Sequence, residues 1–118
     1  MGGANGAQAV ANLLNRGENS YGSTGPIVKT TTAVLEPYEN VVHANGATTY
    51  NVTMPSAASA MIGVAYVVRQ VTSSSGAVTV IFEGGTEDPG NWALTAIGDF
   101  GVAVSDGQFW YELATVET

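Results

Sequence analysis

The residues in this chain that could do chemistry are few. Ten acidic residues stand against Arg16, Lys29 and Arg69, with a single histidine, His43, and no cysteine. Without cysteine there is no thiol nucleophile, no disulfide framework and no thiolate metal site. One imidazole leaves little scope for general-base or zinc chemistry, and His43 reads as a polar or packing residue on a short strand. Glu83, Glu87 and Asp88 share a glycine-rich loop and could offer oxygens to calcium, but their spacing matches no calcium loop and a solvated loop is the expectation. Asp99 and Asp106 could be weighed as a glycosidase carboxylate pair, yet Asp106 before Gly107 is better explained as a turn residue. Asp99-Phe100-Gly101 spells the magnesium tripeptide of protein kinases, while the glycine loop, strand lysine and catalytic Asp–Asn pair that give it meaning are missing. Asn51-Val52-Thr53 fits a glycosylation sequon, but without export it is ordinary strand. No nucleophile–base constellation is assembled. The chain is expected not to be an enzyme, with no catalytic residue, no cofactor and no metal site.

Composition narrows the partners. The 118 residues suit one domain, and the net charge is −7. Three cations cannot neutralise a run of phosphates, so no nucleic-acid partner is expected. An anionic membrane surface would repel the chain, and no apolar run reaches the ~20 residues of a membrane span. The start has neither a cationic region nor an apolar core, so it is expected not to be a secretory signal, and Gly6 stands where myristoylation wants Ser or Thr. Hydrophobic residues make up 45% and charged residues only 11%. Polarity comes instead from Ser, Thr, Asn and Gly, groups that another chain can cover without desolvating charges. Two readings follow: a surface largely covered in an assembly, or a small acidic β domain that is merely low in charge.

The elements that would position these residues fall into two parts. Residues 1–26 form an N-terminal arm, dense in Gly, Ala and Asn. Within it Val10, Leu13 and Leu14 fall at i, i+3, i+4, the sticky edge of a helical turn or two that needs a partner surface to persist. A docking arm and a disordered leader both fit. Residues 27–118 read as strand after strand. Ile27 to Val34 is almost wholly β-branched, Asn40 to Ala44 gives a second strand, and Asn45-Gly46 signals a tight turn. Tyr50, Val52 and Met54 then alternate with polar neighbours until Pro55, and Ser56 opens a compact turn through Ala60. Gly63 to Val71 is apolar in both alternating sets, so both faces of that strand are expected to be covered. Thr72 to Gly76 makes a turn from which Val78 to Phe82 returns antiparallel, and Trp92 starts the last section.

Asp106-Gly107 predicts a two-residue hairpin turn pairing Ser105 with Gln108. Val102, Val104, Phe109, Tyr111 and Leu113 would then share the core face, and Trp110 would lie on the other face beside Ala103, needing cover from another sheet, a loop or a subunit. Tyr66, Trp92 and Trp110 are therefore candidate subunit or sheet contacts, and an aromatic platform for sugar rings is the competing use. With no helix-length periodicity after Ile27, the fold expected is all-β, an antiparallel β-sandwich or jelly-roll-like barrel carrying an extended N-terminal arm.

The stretch Thr49-Tyr50-Asn51-Val52-Thr53-Met54-Pro55-Ser56-Ala57-Ala58-Ser59-Ala60, followed by Gly63-Val64-Ala65-Tyr66-Val67-Val68-Arg69, resembles a β module of tailed-bacteriophage virion proteins. Val78-Thr79-Val80, Glu83-Gly84-Gly85 and Ser105-Asp106-Gly107-Gln108-Phe109-Trp110-Tyr111 match that module in order, so the resemblance spans roughly residues 45 to 113. Met54 stands where leucine is usual, and Glu87-Asp88-Pro89-Gly90 replaces a hydrophobic-Asp-Gly turn. The resemblance implies a non-enzymatic particle component: a head decoration (cement) protein, a head fibre or a tail-fibre appendage, often trimeric. For a chain this short it implies a homotrimeric decoration protein on the capsid exterior, made in the bacterial cytoplasm. Its partner would be the major capsid protein, docked through Val10, Leu13 and Leu14. A fibre or tail-tip knob recognising host glycan is the alternative.

Overall fold

The computed structural model describes residues 26–72, 77–82 and 90–118. Val10, Leu13 and Leu14, the Ser73–Gly76 turn and the acidic cluster Glu83, Glu87 and Asp88 lie outside the described residues. The described chain is all-β, with two mixed sheets packed face to face as a β-sandwich. Nine strands build it: β1 (Ile27–Lys29), β2 (Ala33–Val34), β3 (Val41–Ala44), β4 (Tyr50–Thr53), β5 (Tyr66–Gln70), β6 (Val78–Ile81), β7 (Trp92–Leu94), β8 (Phe100–Ser105) and β9 (Trp110–Val116). One sheet has the order β1-β3-β5-β8-β9 and the other β2-β4-β6-β7.

The chain alternates between sheets on each of its first three passes, laying β1, β3 and β5 in one and β2, β4 and β6 in the other. Parallel neighbours need a long crossover, and here the strand in the opposite sheet supplies it. Ile27, Val42 and Val68 consequently stand in line across the first sheet, as Ala33, Val52 and Val80 do across the second. β7 then pairs antiparallel with β6, and β8 and β9 extend the larger sheet antiparallel from β5.

Four sequence expectations are corrected by this winding. Strand pairing is mixed rather than antiparallel throughout, with four parallel and three antiparallel pairs. The β-branched run from Ile27 to Val34 is two strands, because the chain crosses between sheets at Thr30–Thr32. Asn45-Gly46 closes no hairpin and β6 does not return along β5, since in both cases the flanking strands belong to different sheets. Gly46 has a packing role instead. A Cβ there would lie 2.4 Å from the Tyr50 ring and 2.5 Å from the Thr30 carbonyl oxygen, and its N–H donates to Tyr50 Oη at 3.0 Å.

The last hairpin corrects a fifth. Ser105 pairs with Trp110, Val104 with Tyr111 and Ala103 with Glu112, so the loop is two residues longer than expected. A type I′ turn wants positive φ at both central residues, but among its residues only Gly107 (φ 96) has it. The Asp106 carboxylate closes the loop instead, accepting the N–H groups of Gln108 at 2.9 Å and Phe109 at 2.8 Å. Leu113, left unpaired between Glu112 and Ala114, marks a bulge. The expected core face is also inverted. Val102, Val104, Phe109 and Tyr111 are only half-buried and Leu113 is exposed, while Gly101, Ala103, Ser105 and Trp110 face the interior. Small residues on β8 make room for indoles arriving from β7 and β9.

The core lies between the sheets. Val42, Ala44, Tyr66, Val68, Ala103 and Trp110 from the larger sheet meet Tyr50, Val52, Val78, Val80, Trp92 and Leu94 from the smaller. Phe82 links the two indoles edge-on, 4.8 Å from Trp92 and 5.6 Å from Trp110, and Tyr66 meets Trp110 at 5.1 Å. Such edge-to-face pairs add about 0.5–1.5 kcal/mol each beyond area burial.

Candidate functional site

Tyr66, Trp92 and Trp110 lie in this interior. Their polar atoms are engaged within the chain: Trp110 Nε1 donates to the Pro55 carbonyl at 2.9 Å and Trp92 Nε1 to Glu112 Oε1 at 2.9 Å. The Tyr66 hydroxyl donates to the Pro37 carbonyl and accepts from the Met61 N–H at 2.9 Å. Both indoles are sealed from solvent, so neither is available to stack on a sugar ring.

The two aspartates considered for chemistry are structural. Burial alone would raise the Asp99 carboxyl. Hydrogen bonds from the Thr118 hydroxyl (2.6 Å) and N–H (2.9 Å), and from the Ala96 and Thr95 N–H groups (3.1 Å each), outweigh it and hold the group below the ordinary carboxylate range. Asp99 thereby ties the β7–β8 loop to the last residue. Asp106 is lowered by the Phe109 and Gln108 N–H groups of its own turn. Among the described residues no group of three or more His, Cys, Asp or Glu side chains could hold a metal. An open groove of about 410 Å³ runs between Val34–Pro37 and Thr53–Ser59. Of its three hydroxyl residues, Thr53, Ser56 and Ser59, the two serines are bonded to one another at 2.8 Å as the cap of a single turn. They converge on nothing in the groove.

What remains is the outer face of the five-stranded sheet, and it is built from rows. Register places Val41, Val67, Val102 and Ala114 side by side across β3, β5, β8 and β9. A second row runs Val28, His43, Arg69, Phe100 and Val116 across all five strands. Val104 and Tyr111 form a third, shorter row. These positions alternate with the buried set, so they project from the sandwich. Val28 is 55% exposed, Val116 46% and Val41 41%, and the bulged Leu113 is 61% exposed. With the half-buried members the face leaves on the order of 500 Å² of mostly apolar side chain uncovered, at the upper end for a monomer's largest patch. Its one permanent charge is Arg69. The only ion pair among the described residues, Lys29 with Glu39 at 3.0 Å, lies elsewhere, on residues that face inward from the sheet edge.

Sequence reasoning met most of these residues. It placed Val102, Val104 and Tyr111 on one face, but in the wrong register and with that face turned inward. The apolar second set on β5, Val67 with its neighbours, was the signal that a further surface exists. The row itself depends on the parallel register of β3 with β5, which no turn signal announces.

No protein-family model, no curated protein and no solved structure matches the chain.

Proposed function

We propose that this chain is a decoration (cement) protein of a tailed-phage capsid, binding the outside of the head shell as a homotrimer and reinforcing contacts between major capsid subunits. The observation that carries the reading is the outer face of the five-stranded sheet. A sandwich has one interior, yet this sheet is apolar on both sides, as is usual for sheets covered on both faces. The low share of charged residues supports the same conclusion, since little charge need be desolvated when another chain docks. The order of motifs from Thr49 to Tyr111 supplies the virion context.

Mechanically, packaged DNA loads the junctions of a capsid outward, and a molecule bridging several subunits adds contact area that must break before the shell opens. Three linked copies raise the effective concentration of each weak attachment, so modest individual contacts suffice. Val10, Leu13 and Leu14 are the docking residues in this reading. The full chain should sediment with purified heads that lack it, and a chain carrying Val10→Asp, Leu13→Asp and Leu14→Asp should remain in the supernatant. Equal binding by both chains, or antibody labelling confined to the tail, refutes the assignment.

A further inference from the structure

We infer that the outer face of the five-stranded sheet, centred on Val41, Val67 and Val102, is the surface by which copies of this chain bind one another. The inference deepens the homotrimer reading and rests on it for the number of copies. Three features select another copy as the occupant. First, the face suits an apolar, weakly charged surface: its rows are valine, alanine and aromatic side chains with His43 and Arg69 in the middle of one row, and they carry no carboxylate. Among the described residues the carboxylates of Glu36, Glu39, Asp99, Asp106, Glu112 and Glu117 stand outside the rows, Asp106 meeting their margin at the Tyr111 side chain. Copies of a chain with net charge −7 repel over most approaches, and this face lets them meet without setting carboxylate against carboxylate.

Second, the face is even. Valine and alanine in register across four strands leave a shallow surface that copies can turn toward a shared threefold axis, each touching two neighbours. Third, the area is sufficient. Covering on the order of 500 Å² of mostly apolar surface on each of two copies buries roughly 1,000 Å² in total, the least expected of a specific interface. Arg69, near the end of β5, has a stem long enough to keep its guanidinium at the rim in water.

The test is the oligomeric state of the full chain. At about 100 µM, a concentration well above the Kd expected of an interface this size, sedimentation velocity should show an oligomer. The double variant Val67→Glu, Val102→Glu should be monomeric, its self-association weakened at least about 100-fold by like charges in contact. Buried Trp92 and Trp110 report whether it has folded. Should the double variant lose that fluorescence, the single variant Val41→Glu, at a more exposed position, should weaken association at least about tenfold. An oligomer unchanged by these substitutions overturns the surface and leaves the trimer reading standing. A monomeric parent chain overturns both, whereas capsid attachment is judged separately by co-sedimentation.

Discussion

Replacing Gly101 by alanine adds one methyl group against the ring of Trp92. Gly101 sits on the inner face of β8, opposite Val68 and Thr115, with the Trp92 ring lying over its Cα. A Cβ there would stand 2.3 Å from Trp92 Cε3, 2.4 Å from Cζ3 and 2.5 Å from Cδ2. The indole has little room to yield, being held edge-on by Phe82 and by its hydrogen bond to Glu112. Forcing an extra carbon into such a site destabilises by about 1–3 kcal/mol. If the ring tilts far enough to part from Glu112, a charge-assisted hydrogen bond of about 1.5–3 kcal/mol goes with it. Against this, alanine restricts the unfolded chain and returns about 0.4–1 kcal/mol. The net expectation is a loss of about 2–4 kcal/mol, or roughly 10–25 °C in Tm for a domain this size. Thermal and urea unfolding followed by tryptophan fluorescence would measure it. Adding Trp92→Phe should relieve part of the penalty, so the double variant should be more stable than the sum of the two single effects by at least about 1 kcal/mol. A Gly101→Ala protein as stable as the parent, or strictly additive effects, would refute the stacking of Trp92 on β8.

Two further perturbations probe the polar contacts. Asp99→Asn should destabilise by about 1–2 kcal/mol at neutral pH, because a charged acceptor of four donors becomes a neutral one. The folded-state pKa of Asp99 is lowered, so its contribution is full above the ordinary carboxylate pKa and fades as pH falls through the lowered value. The gap between parent and variant should close on acidification, and a gap constant from neutral to acid pH would contradict the assignment. Tyr66→Phe keeps the buried ring and strands the Pro37 carbonyl and the Met61 N–H, so the urea midpoint should fall by the equivalent of about 1–3 kcal/mol with an unchanged m-value.

The strands were legible because their signals are local. Alternation from Tyr50 to Met54, the β-branched runs and the stop at Pro55 each act within a few residues. Pairing was less legible, because parallel register is fixed by where the chain re-enters a sheet after crossing the other one. Asn45-Gly46 illustrates the limit: the dipeptide usually marks a hairpin, but here the glycine is demanded by the Tyr50 ring and a backbone oxygen. The polar roles were hidden for a related reason. Asp99 is read correctly only beside Thr118, and Glu112 only beneath Trp92, contacts that span 19 and 20 residues.

The inverted face of β8 has a physical cause that bears on function. Judged by hydrophobicity alone, Val102, Val104 and Tyr111 belong inside and Gly101, Ala103 and Ser105 outside. Hydrophobicity does not decide between two faces when the interior must also hold two indoles, two phenols and a phenyl ring. Volume decides, and the strand that turns its small residues inward lets Trp92 and Trp110 reach the centre, where each buries up to about 250 Å². β8 therefore gives its small side to the fold and keeps its large apolar side outward. A β-branched residue stabilises a strand on either face, but threonine would do that in water while presenting less apolar surface. Valine at position 102, in line with Val67 and Val41, adds nothing to the interior between the sheets. Its apolar surface becomes favourable when a second body covers it, and that is the property a particle-binding protein requires.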